Sequence, residues 1–155
     1  MDEPLSLSLG LFRPNNRTIS LDIDTPEAER RYDAMMGVVE EIIAEARRRD
    51  IAVGLLYTPA PLLYSKAWMD AQIPPGIVLR RAWLTERSEL QKRLAAFSRR
   101  VDVPLLDLTP AFRADYETGT ELNFARDGHW NPAGHRVAAR AIAAWMDREQ
   151  LARGD

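Results

Sequence analysis

The 155-residue chain has no cysteine, only two histidines, and lysine only at Lys66 and Lys92. The absence of cysteine excludes disulfides, thiol nucleophiles and thiolate metal sites, and leaves the redox compartment open. No apolar run approaches the roughly 20 residues a membrane-spanning helix needs. The opening residues Met1-Asp2-Glu3-Pro4 are acidic and lack the basic start of a secretory signal peptide. The formal net charge of −2 provides no strong field, so neither nucleic acid nor an anionic membrane surface is an expected partner. Arginine supplies most of the positive charge. Much of it falls where predicted helices end, at Arg47 to Arg49, Arg99 and Arg100, and there it favours the helix dipole.

A hydrophobic fraction of 46% with four tryptophans fits a globular core, and the length fits one main domain. Leu5, Leu7, Leu9 and Leu11 alternate with small polar or glycine positions. Ile19, Leu21 and Ile23 alternate again beyond the turn-forming stretch Arg13 to Arg17. Period two on both sides of a turn predicts a β-hairpin, an N-terminal arm over residues 1–24. The main α/β domain is expected over 25–150.

Thr25-Pro26-Glu27 is a helix start: a hydroxyl cap, proline at the first position and acid in the first turn. Tyr32, Met35, Met36, Val39, Ile42, Ile43 and Ala46 give that helix one apolar face out to about Asp50. Ile51 to Tyr57 and Val103 to Leu108 read as short buried strands, and a helix over 82–100 is expected between them. Residues 62–81 read as a long connection containing Tyr64, Lys66, Trp68 and the turn Pro74-Pro75-Gly76. After Leu108 a single helical turn is expected at 111–116, then an extended piece at 121–125. A final helix is capped by Asn131, with Pro132 at its first position and Val137, Ala141, Ile142 and Trp145 facing inward. Strand, helix, strand predicts a parallel sheet with helices packed on it, whose ligand crevice lies at the carboxyl ends of the strands.

The chemistry concentrates in Asp127-Gly128-His129-Trp130-Asn131-Pro132-Ala133-Gly134-His135, which holds both histidines. A carboxylate two residues before an imidazole can fix its tautomer, and an imidazole so held is a general base for a hydroxyl or a water. The spacing also admits a turn, since Asp-Gly is a turn dipeptide and Asn-Pro a helix entry. It admits, third, a metal site built from Asp127, His129 and His135, for which no fourth ligand is evident. Trp130 reads either as a packed lid over the loop or as a stacking platform.

The stretch Asp127 to Ala139 resembles the last conserved block of the SGNH/GDSL hydrolase superfamily. Within it, the nearest branch is the Asp-x-His-Trp branch related to alginate O-acetylating proteins. Leu105 to Leu108, and Gly54 to Pro59 with Tyr64 after them, resemble the strands and loop that precede this block, so the resemblance covers roughly 25–148. It implies part of a doubly wound, flavodoxin-like α/β domain, its C-terminal half. His129 would be the catalytic base and Asp127 its orienting acid, with Trp130 and Tyr64 beside the substrate. It also implies an ester hydrolase or O-acetyltransferase acting on an acylated small molecule or polysaccharide, with no metal and no cofactor. Members of this family are often exported or membrane-anchored.

The departure is equally specific. The family's nucleophile lies in a Gly-Asp-Ser block, and an oxyanion donor often lies in a Gly-x-Asn-Asp block. Neither occurs in this sequence. Ser65 follows a strand but lacks a nucleophile-elbow context, and Ser6 and Ser8 read as the polar face of a strand. This chain alone is therefore expected to be inactive. The alternative is a non-catalytic domain that binds a carbohydrate or a partner through Trp68, Trp83 and Trp130. A partial sheet would leave an exposed edge, through which a homo-oligomer is expected.

Overall fold

The computed structural model describes residues 23, 25–71, 80–125 and 128–151. The N-terminal hairpin expected over 5–23 lies outside the described residues except for Ile23, which is buried in the main core. Among the described residues no helix is long and apolar enough to cross a membrane.

Helix α1 spans Pro26–Arg48 and starts as the sequence predicts, with the Thr25 hydroxyl accepting from the Ala28 N–H at 3.1 Å. Asp50 ends it in a left-handed conformation, φ 55°. The Ile51 and Asp50 N–H groups fold back onto the carbonyls of Ala46 and Arg47, so the last carbonyls of the helix are not left bare. A matching stop follows α3 (Glu89–Arg100), where Asp102 takes φ 51° and Val103 N bonds Ser98 O. Arg47 Nη2 reaches across to the carbonyls of Val101 and Asp102, at 2.6 and 3.0 Å, and ties the two stops together. Met36, Ile43, Phe97 and Val103 then bury one another between the helices.

Strands β1 (Leu55–Tyr57) and β2 (Leu105–Asp107) pair in parallel, with Leu55 opposite Leu105 and Tyr57 opposite Asp107. The fold is α/β with a parallel sheet, as the pattern predicts. The strands are shorter than expected because residues 50–51 are used in closing α1 and pairing begins only at Leu55 N, which bonds Pro104 O. They are also less buried. Leu56 is 43% exposed, because the sheet has two strands among the described residues.

The helix expected over 82–100 is divided. Arg81–Leu84 forms a 3₁₀ turn, and α3 begins anew with a capping box in which Ser88 and Gln91 satisfy each other's backbone N–H groups. The described part of the 62–81 connection includes a 3₁₀ turn, Pro61–Leu63, and a short helix, α2 (Lys66–Ala71). The single turn expected at 111–116 is a nine-residue helix, α4 (Thr109–Glu117), whose first N–H is held by Asp107 Oδ1 at 2.9 Å. The last helix, α5 (Pro132–Arg148), packs against α4. Gly54 lets the start of β1 approach α5, since a β-carbon there would sit 2.4 Å from the Trp145 ring.

Tyr57 and Tyr64 are 6% and 4% exposed, and burial pushes both phenols well above their ordinary range. The folded chain thus retains protons that the unfolded chain releases once pH passes about 10. Their contribution to stability is complete below that pH and shrinks as pH rises. In a spectrophotometric titration at high pH, Tyr57 and Tyr64 are expected to ionise only with loss of the near-ultraviolet circular dichroism of the fold. Smooth ionisation of all four tyrosines in a folded chain would contradict this assignment.

Candidate active site

The polar segment after α4 is built as a small hairpin. Leu122 and Asn123 pair back on Trp130 and Asn131: Asn131 N bonds Leu122 O at 3.0 Å, and Phe124 N bonds His129 O at 3.0 Å. Three polar side chains hold it. Asn131 caps α5 by accepting from the N–H groups of Ala133 and Gly134 at 2.8 and 3.1 Å. Its amide also donates to the carbonyls of Glu121 and Asn123. Asn123, buried, donates to Gly128 O at 2.9 Å. From below, the Tyr64 hydroxyl donates to Asn123 Oδ1.

An aromatic column carries the hairpin. The Trp130 ring lies 4.9 Å from that of Phe112, which lies 5.2 Å from that of Tyr64. Tyr64 is in turn 6.1 Å from Tyr116. Gly128 rests near Pro61, which belongs to the 3₁₀ turn just past the carboxyl end of β1. The hairpin therefore sits at the crevice end of the parallel strands, where α/β sheets bind ligands.

His129 is exposed on this hairpin. Asp127 lies outside the described residues. Trp130 is half-buried, its ring between Phe112 and His135, and the His135 ring meets it edge-on at 5.7 Å. Tyr64 is buried, with its hydroxyl spent on Asn123. Ser65 is 3% exposed, and its hydroxyl accepts from Trp68 N at 3.0 Å, capping α2. Among the described residues no three His, Cys, Asp or Glu side chains are grouped to hold a metal ion.

Sequence reasoning identified Asn131 as a helix cap but not as a brace across the hairpin, and it missed Asn123. The one available signal was an asparagine between Leu122 and Phe124 in an extended piece, where a buried side chain needs hydrogen-bond partners. Gly134 is a further unrecognised support. A β-carbon there would stand 2.3 Å from Leu122 O and 3.0 Å from Trp130 Cβ. Gly134→Ala is expected to cost about 1–3 kcal/mol despite the better helix propensity of alanine, because backbone must move. Urea unfolding would measure it, and a gain in stability would contradict the close approach.

A family model described as the SGNH hydrolase-like domain of the acetyltransferase AlgX matches residues 21–155. No curated protein and no solved structure matches.

Proposed function

Because the chain belongs to the family of SGNH hydrolase-like domains typified by the acetyltransferase AlgX, we propose that it carries the base and orienting acid of a serine acyl-transfer centre. In this reading Asp127 accepts a hydrogen bond from His129 Nδ1–H, which makes Nε2 the basic nitrogen. Nε2 takes the proton of a serine hydroxyl as that oxygen attacks the acyl carbonyl, and returns it to the departing alcohol oxygen. A second cycle with water gives hydrolysis, and with an acceptor hydroxyl gives acyl transfer. The substrate is an ester of an acylated small molecule or polysaccharide.

One observation carries the reading. His129 is exposed to solvent while its carbonyl accepts from Phe124 N and the adjoining Gly128 carbonyl accepts from Asn123, at the crevice end of the sheet. A general base needs this combination of access and fixed position. The chain has no Gly-Asp-Ser sequence, and the Ser65 hydroxyl is buried in a helix cap, so no serine described in this chain suits the role.

Two measurements test the reading. In ¹⁵N spectra, neutral His129 is expected to carry its proton on Nδ1, and Asp127→Asn is expected to move that proton to Nε2. A His129 protonated on Nε2 in the wild-type chain and insensitive to Asp127→Asn would remove the dyad. The chain by itself is expected to resist a fluorophosphonate probe, and labelling at Ser65 would overturn the exclusion of that serine.

A further inference from the structure

We propose that Phe124 is a specificity-determining residue of this centre, its ring forming an apolar wall beside the His129 imidazole for the apolar face of the ester substrate. The inference rests on the reading of His129 given above and adds to it the group that holds the substrate there.

The argument begins with the two faces of the hairpin. Side chains directly opposite each other on paired antiparallel segments share a face, and successive residues alternate faces. Asn123 opposes Trp130, and both turn inward, Asn123 to Tyr64 and Trp130 to Phe112. The next pair outward is Phe124 and His129, joined by Phe124 N to His129 O at 3.0 Å. By that alternation these two fall on the opposite, outer face.

The residue types on these faces run against folding preference. The buried position holds an asparagine, and the neighbouring Phe124 is 52% exposed. A single exposed apolar side chain is ordinary on a protein surface. Phe124 differs because its backbone is fixed on both sides, by the anchored Asn123 and by the bond to His129. The other large hydrophobic residues exposed among those described, Val38, Ile42, Ile51 and Leu56, lie on α1 or in and just before β1. A half-exposed phenyl ring on a held backbone provides a flat apolar surface, suited to the C–H face of a sugar or to another apolar face of an acylated alcohol. The imidazole beside it supplies the polar contact.

The test uses the full chain and a stable acetylated pyranoside, methyl tetra-O-acetyl-glucopyranoside, followed by ¹H–¹³C spectra. The His129 imidazole and Phe124 ring signals are expected to shift together and saturate, with His135 unmoved as the internal control. Phe124→Ala is expected to weaken binding about ten-fold and Phe124→Tyr to restore most of it, the scale of one aromatic contact. Each variant is checked by its urea midpoint. Equal affinity in Phe124→Ala, failure of Phe124→Tyr to restore it, or no saturable shift at Phe124 would overturn the wall, whatever the His129 tautomer. Phe124-dependent binding together with a His129 tautomer indifferent to Asp127→Asn would keep the wall and remove only the dyad.

Discussion

Phe112→Ala is expected to cost about 3–5 kcal/mol of stability, the usual scale for emptying a fully buried aromatic site. Phe112 has no solvent exposure. It stands between Tyr64 and Trp130, with ring centroids at 5.2 and 4.9 Å, so its loss opens a cavity and removes two aromatic contacts at once. Only part of that cavity can collapse, because Tyr64 is held from the other side by Asn123. The midpoint of urea unfolding should fall with little change in slope. The His129 signal should broaden as the hairpin loses its support under Trp130. Phe112→Leu, which refills much of the volume, is expected to cost less than half as much. A Phe112→Ala loss below about 1 kcal/mol would mean that the column does not carry the hairpin.

Arg113→Ala is expected to cost about 2–4 kcal/mol, because one guanidinium holds four backbone carbonyls. Nε donates to Leu63 O at 2.9 Å, Nη1 to Thr85 O at 3.1 Å, and Nη2 to Trp83 O and Glu86 O at 2.7 and 2.9 Å. These carbonyls lie on both 3₁₀ turns and the residues just after the second, so the side chain clasps the connection before α3 onto α4. Burial works against its charge and lowers its pKa, with Asp107 and Glu117 opposing. Arg113→Lys is expected to recover little, since a single ammonium has three donors at one point and cannot reach the four carbonyls of a planar fork. Urea unfolding of both variants measures the loss, and limited proteolysis should show faster cleavage between residues 63 and 88. Full rescue by lysine would mean that charge alone, not the fork, is the source of the effect.

The starts of α1 and α5 were legible because a cap is written within four residues. Thr25-Pro26 and Asn131-Pro132 are each a side-chain oxygen followed by a residue that needs no hydrogen-bond donor, and both caps form as read. The two strands were legible as apolar runs, though their lengths were not, since the helix stop before β1 uses a residue, Ile51, that the apolar run assigned to the strand. The break before α3 was hidden for a different reason. Apolar spacing continues through 81–84 at helical period, and only the Ser88–Gln91 box and the pull of Arg113 on Trp83, Thr85 and Glu86 divide it. The nine residues of α4 were underestimated because Asp107, an end-of-strand residue, holds its first N–H.

Local chemistry by itself determined the capped starts of α1 and α5, the parallel α/β class and the resemblance of the Asp127 to Ala139 block to the SGNH family. Each depends on residues close in sequence or on a period read along one element. Tertiary structure alone decided that Tyr64 lies beneath the hairpin and binds Asn123, 59 positions away. It also decided that Arg113 closes onto Leu63, 50 positions away. Over such separations a side chain's partner is set by how elements pack, and by the cost of leaving a buried polar group unpaired, neither of which appears in the order of residues along the chain.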